Sequence, residues 1–178
     1  MLTDIKTEFR RHQHLAEAAL AHVHDAAFFH KPGEPVNPLA LIVKHVAGNL
    51  RSRWTDFLTS DGDKPGRNRD GEFQILAGDS RERLMSAWQA GWDALWSTLD
   101  SLSEDDYERT VTIRGERFTV RQAVLRSLTH TVYHVGQILY VARLLNPEAK
   151  WLTIPPGQSR NWSGKYLPEQ DQEKTKKP

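Results

Sequence analysis

Between positions 39 and 58 the apolar residues fall at Leu39, Ile42, Val43, Val46, Leu50, Trp54, Phe57 and Leu58. Steps of three and four gather them on one face of an α-helix, whereas a strand would scatter them over both faces. Such a stripe needs a partner surface, and the chain supplies three more segments of the same kind. Leu2, Ile5, Phe9, Ala16, Leu20, Val23 and Ala27 share a face over residues 2–27. Leu84, Trp88, Leu95, Trp96, Leu99 and Leu102 share another after residue 79, with Trp92 nearby, and a fourth helix runs over residues 119–145. The tryptophans at spacing four read as bulky core filler, not as a stacking ladder for a ligand. Helices that bury such stripes against one another make an all-α, four-helix bundle.

The punctuation between the stripes sets the boundaries. HKPGEPVNP, with three prolines and a glycine, separates the first two helices. Asn37 is expected to cap the second, with Pro38 at its first position and its end near Ser60. Asp79 and Glu82 have the spacing of a capping box for the third helix, Thr119 and Gln122 that for the fourth, and Pro147 stops the fourth. Between these last two, YERTVTIRGERFT alternates and turns at Arg114 and Gly115, which predicts a short hairpin or extended excursion. WLTIPPGQSRNWSGKYL is aromatic enough to pack back on the bundle, and PEQDQEKTKKP is expected to be disordered. The expectation is one bundle domain over residues 1–167 and a disordered tail over 168–178. A chain of 178 residues buries about 70% of its unfolded surface, so neither disulfide nor metal is needed for folding.

Charge and cysteine content narrow the function. Lysine plus arginine is 24 and aspartate plus glutamate 23, and a balance of +1 exerts no general pull on nucleic acid or anionic membranes. No apolar run approaches the ~20 residues of a membrane span, and the start lacks the apolar core of a secretory signal. A cytoplasmic protein is expected. There is no cysteine, which excludes disulfides, a cysteine nucleophile and thiolate ligands. If thiol chemistry happens here, the thiol arrives with a small molecule.

Histidine occurs eight times. His130 and His134, in LTHTVYHVGQ, stand four apart on the fourth helix, so both rings can reach a common centre, and that spacing can clamp a transition metal. A partly buried pair with ordinary hydrogen bonds is the other reading. His45 lies off the centre of the second helix's apolar stripe. Alone it is a flank histidine bonded to a carbonyl; with the other two it completes a three-imidazole site between bundle helices. Three neutral nitrogen ligands leave positions for water or substrate, and imidazole suits zinc, nickel, copper and iron alike. His12 falls in the first stripe, as a substitute ligand or a satisfied core histidine, and His14, His22, His24 and His30 read as surface residues. Asn49, one turn beyond His45, and Gln137, three after His134, can orient an imidazole or bond substrate, or make plain interhelical hydrogen bonds.

HVAGNLRSRWTDFLTSDGDKPGRNRDGEF, with RSLTHTVYHVGQILYVARLL and WLTIPPGQS further on, resembles the DinB-like (YfiT-like) superfamily and within it the branch catalogued as domain of unknown function 1572. The likeness covers residues 2–159. It implies a four-helix bundle, usually homodimeric, that holds a divalent metal on three histidines, matched here by His45, His130 and His134. Better-studied relatives transfer low-molecular-weight thiols such as bacillithiol and mycothiol, and one is a maleylpyruvate isomerase; others were described as hydrolases or damage-inducible proteins. Arg51, Arg53, Arg67, Arg69 and Asp70 lie in the same stretch. These arginines can grip an anionic substrate through bidentate contacts, or pair within the chain, as Arg67 or Arg69 with Asp70.

The expectation is a metal-dependent thiol transferase acting on a small-molecule substrate, with zinc, nickel or iron as the metal. A metal-dependent hydrolase uses the same ligands, and a non-catalytic metal-binding or dimeric scaffold protein of stress response is the rival class. Either enzyme is expected to lose activity below about pH 6, where free imidazole protonates.

Overall fold

The computed structural model describes residues 2–149, 151, 154 and 157–161. Its α-helices are α1 (Leu2–Ala21), α2 (Asp25–Phe29), α3 (Leu39–Trp54), α4 (Arg81–Ser101) and α5 (Val120–Leu145); strands β1 (Thr110–Ile113) and β2 (Glu116–Thr119) form a small two-stranded sheet. The fold is the expected all-α bundle. α3 packs against α4 and α5, α5 against α1, and side chains of α1 and α4 close the ring. Among the described residues, no helix is long and apolar enough to cross a membrane.

Aromatic residues fill the centre. The Phe9 ring is fully buried and meets Trp54, Trp92 and Trp96 edge-on, with centroids 6.1, 6.3 and 6.4 Å away. Three indole N–H groups find acceptors on other elements: Trp88 donates to Glu17, Trp96 to Gln13 and Trp54 to the Ser127 hydroxyl. The tryptophans thus fill core and tie helices together, as their spacing suggests.

Several boundaries differ from the sequence reading, each for a local reason. The first helix breaks after Ala21, because side chains of other elements take up carbonyls at its end: Arg81 donates to Leu20 O at 2.8 Å and Asn146 to His22 O at 2.7 Å. His24 then caps α2, accepting from Ala27 N. Pro38, extended at φ −62° and ψ 155°, takes the cap position of α3 that Asn37 was expected to hold. The helix ends at Trp54, short of Ser60, although Phe57 stays buried and stacks on Trp54 at 4.9 Å. Ser80, not Asp79, caps α4 through its hydroxyl, since the Asp79 carboxylate is turned back to Leu76 N and Lys44. The Thr119–Gln122 capping box and the hairpin turn at Arg114–Gly115 stand where the sequence places them. Of the segment after Pro147, Trp151 is half-buried against His22 and Arg143. The 168–178 tail, and with it the domain boundary at 167, lies outside the described residues.

Candidate metal centre

α3 carries two functional faces. One is apolar and meets α4 and α5; the other bears His45, Asn49, Ser52 and Arg53, all buried. Positions i, i+4, i+7 and i+8 form a single polar stripe along the helix. Burial of such a stripe needs partners, and the loop between α3 and α4 provides them. Ser52 Oγ donates to Gly62 O and accepts from Lys64 N, both at 3.0 Å. The loop is in turn fastened to the hairpin. Gly62 N donates to Thr112 O, and the Asp61 carboxylate accepts from the N–H groups of Arg114 and Gly115 at 2.8 Å. Those residues have φ of 57° and 75°, the mirror-image turn favoured in tight hairpins. The Gly115 N–H is the main reason the Asp61 carboxyl is held down at about 2.

Further along, the loop forms a 3₁₀ turn, Asp70–Phe73, that packs on α3 and lays Glu72 beneath His45. Glu72 is buried and three-fold engaged. It accepts from His45 Nδ1 at 2.9 Å and from Arg67 Nε and Nη2 at 2.8 Å each. Burial raises its pKa, and the His45 and Arg67 hydrogen bonds overcome that and hold it below the ordinary carboxylate range. Arg67 therefore pairs with Glu72, with Asp63 near, in place of the expected Asp70. A buried ionic network of this kind contributes little net stability, so its value lies in the orientation it imposes. The Phe73 ring lies 4.8 Å from that of His45.

α5 brings His130 and His134 to the same point. His130 Nε2 lies 3.4 Å from His45 Nε2 and 3.2 Å from His134 Nε2, and ligand atoms of all three fall within 4.8 Å of one another. His134 Nδ1 donates to Gln137 Oε1 at 2.7 Å. In neutral rings, the form that binds a metal, the outward nitrogens of His45 and His134 donate to Glu72 and Gln137, and each inward Nε2 then presents a bare lone pair. Burial first, then the neighbouring His134, His45, Arg53 and Arg67, push the His130 imidazole down to about 3. Burial also lowers His134, against the Gln137 hydrogen bond that raises it.

The donor set fits a transition metal. One His130 Nε2 faces two bare lone pairs, and a single N–H can serve only one of them well. Two nitrogens bound at about 2.0–2.1 Å to a tetrahedral ion stand about 3.3 Å apart, close to both separations here. Outer partners that fix imidazole tautomers are the usual companions of metal-ligating histidines. The three-histidine cluster can hold a metal ion.

The other expected residues divide. Asn49 is buried beside His45, and Gln137 is the His134 partner. Arg51 is exposed and away from the cluster, its carbonyl accepting from Thr55. His12 Nδ1 is 2.8 Å from Glu8 O, a satisfied histidine of α1. Glu72 was not foreseen. A cavity of about 140 Å³ opens beside His45 and His130, lined also by Asn49, Arg53, Arg69 and Arg126. A wider cleft of about 420 Å³, lined by Val36, Ile42, Tyr133, Gln137 and Tyr140, flanks the His134 side.

A family model described as "Protein of unknown function (DUF1572)" matches residues 1–158. No curated protein matches the chain. Among solved structures it is similar to a conserved protein from Enterococcus faecalis, at a TM-score of 0.58 and 17% identity, over 81% of this chain and 95% of that one. At that identity the likeness concerns the fold alone.

Proposed function

The chain belongs to the DUF1572 family of proteins of unknown function, and from that premise we propose that it is a divalent-metal protein whose three-histidine centre serves the transfer of a low-molecular-weight thiol. The observation that carries this reading is the convergence of the three imidazoles, two of them with their outward N–H groups held by Glu72 and Gln137. A divalent transition metal supplies Lewis acidity there, lowering the pKa of a thiol or water that it coordinates. The chain's own work is positional. His45, His130 and His134 supply three neutral donors and leave further positions for a small molecule, while Glu72 and Gln137 keep the rings in register.

Thiol transfer is favoured over hydrolysis by the state of Glu72. It is the carboxylate bonded to the cluster, yet His45 and Arg67 fill its acceptor sites and lower its pKa, which weakens it as a base. It is poorly placed to take a proton from a water. The lack of protein cysteine agrees with a thiol that arrives on a small molecule, and the DinB-like resemblance supports the same chemistry. A homodimer belongs to the proposal: Leu125, Val132, Tyr140 and Leu144 leave an exposed apolar strip along α5 that a second copy can cover, which sedimentation measures.

The test is metal content of untagged protein, wild type beside His45→Ala, His130→Ala and His134→Ala. Near-stoichiometric metal in the wild type, lost in each variant, is the expected result and justifies a screen of thiols with electrophiles. Wild-type protein that holds no metal and takes up neither zinc, nickel nor iron overturns the proposal.

A further inference from the structure

The cavity beside the metal centre is unusually basic for a chain of almost zero net charge. Arg53, Arg67, Arg69, Arg114 and Arg126 all line its 140 Å³. Two of them are spent inside the fold: Arg67 grips Glu72, and Arg114 Nε reaches Asp63 at 2.9 Å. The other three have no carboxylate within salt-bridge distance among the described residues. Arg126 only lies over the Phe118 ring, 5.5 Å from its centroid, and Arg69 is exposed.

Arg53 is the telling member. Its residue is only 9% exposed, and its Nη1 is buried without a hydrogen-bond partner. Burial and the like charges of Arg126 and Arg67 push its pKa down to about 10. A buried guanidinium with an unmet donor costs stability, and charges of one sign around a small cavity compound that cost. The fold even makes room for it, since a Cβ on Gly62 would lie 2.6 Å from Nη1. An arrangement kept at such a cost is accounted for by an anion, which satisfies the free donors and neutralises the cluster. The cavity volume corresponds to about five waters, enough for a carboxylate or phosphate group but not for a large headgroup.

We propose that the substrate of the three-histidine centre is an anionic small molecule, its carboxylate or phosphate oxygens held by Arg53 and Arg126 while another donor atom of the same molecule faces His45 and His130. The clause about the second donor rests on the metal reading above; the anion site does not. Arg69, at the exposed margin, adds charge that draws the anion in. The Arg67–Glu72–His45 chain joins the two halves, because the arginine cavity and the imidazole cluster share one loop as their wall.

The test uses the full chain with cobalt as the metal and two thiol probes of similar size, 3-mercaptopropionate and uncharged 2-mercaptoethanol. Binding is read from thiolate-to-cobalt charge-transfer absorption. The wild type is expected to bind the charged thiol about tenfold more tightly or better, and Arg126→Gln, an exposed position that spares the core, is expected to erase most of that preference. Arg53→Gln, checked for native circular dichroism, is expected to do the same. Equal affinity for both thiols overturns the anion site and leaves the metal centre standing. If the protein takes up no cobalt, calorimetry of inorganic phosphate and succinate with the metal-free protein decides the anion site on its own. Binding lost in both arginine variants then upholds the anion site, and which probe binds names the oxyanion. No binding at millimolar concentration, or binding unchanged in the variants, overturns it.

Discussion

A side chain on Gly48 and the carboxylate of Glu72 would occupy the same space: a Cβ built on Gly48 falls on the carboxylate, 2.8 Å from Cδ. One turn of α3 thus lacks a side chain where the loop must approach, three residues after the histidine that Glu72 orients. The gap and the acid act as a pair, and the geometry of His45 depends on both.

Removal of Glu72 is expected to weaken metal binding without abolishing it. Glu72→Ala takes the acceptor from His45 Nδ1 and strands Arg67, so metal affinity falls about 10- to 100-fold. Glu72→Gln keeps one carbonyl for His45 while losing the charge that pairs Arg67, and falls between. Competition with a chromophoric chelator measures both; affinities equal to wild type show that Glu72 does not orient the ring.

Gly48→Ala is expected to reproduce that loss from the other side of the contact. Alanine gains up to about 1 kcal/mol in a helix interior relative to glycine, yet here the methyl group expels Glu72 and leaves Arg67 and His45 unpaired. The net change is a destabilisation of about 1–3 kcal/mol by urea unfolding. Metal affinity drops with it, and in the double variant with Glu72→Ala the two effects on affinity fail to add. Additive losses mean that Gly48 acts elsewhere.

The histidines and their absent neighbour show what a single sequence makes legible. His130 and His134 lie one turn apart on one helix, so their meeting follows from a rise of 1.5 Å per residue. His45 is legible as an exception, a polar residue beside a strong apolar stripe, and Gln137 follows from its spacing to His134. Glu72 is 27 residues from His45 across a loop rich in glycine, proline and charge, where no period constrains position. The one available signal was Gly48, a helix-interior glycine without a turn to explain it. Arg53 is legible as an anion contact, but its burial is not, since it depends on the loop at Gly62 closing against the guanidinium. The bundle itself was legible because four apolar stripes have few ways to be buried. The end of α1 was not, since Arg81 and Asn146 close it from far along the chain, whereas the start of α5 was, because its capping box is local.

Gln137 should matter through its oxygen. Gln137→Leu removes the acceptor of His134 Nδ1–H and is expected to cost about tenfold in metal affinity, whereas Gln137→Glu keeps an acceptor and retains wild-type affinity or better. Chelator competition on the two variants separates hydrogen bonding from packing, because a packing role would make leucine the milder change.

The metal-free protein is expected to lose stability on acidification below neutrality, and His130 to be one source. Its folded-state imidazole is pushed from an ordinary value near 6.5 to about 3, while the unfolded chain keeps the ordinary value. Between those limits the unfolded state binds a proton that the folded state refuses, so the stabilisation is fully present above pH 6.5 and is lost as pH falls toward 3. Part of the ring meets solvent, so the full linkage value is discounted to about 2 kcal/mol between pH 7 and pH 4. His134, also lowered, acts with the same sign. Urea unfolding of chelator-treated protein across that range reads the slope, and His130→Gln, which carries no titrating group, flattens it by about the same 2 kcal/mol. The same burial moves the acid limit for the metal-loaded protein. Free imidazoles place proton competition near pH 6, whereas His130 and His134, both lowered by burial, are expected to keep their metal well below it. Metal released at pH 6 from the wild type, with no difference in slope between wild type and His130→Gln, shows that the ring takes its proton as freely as in water.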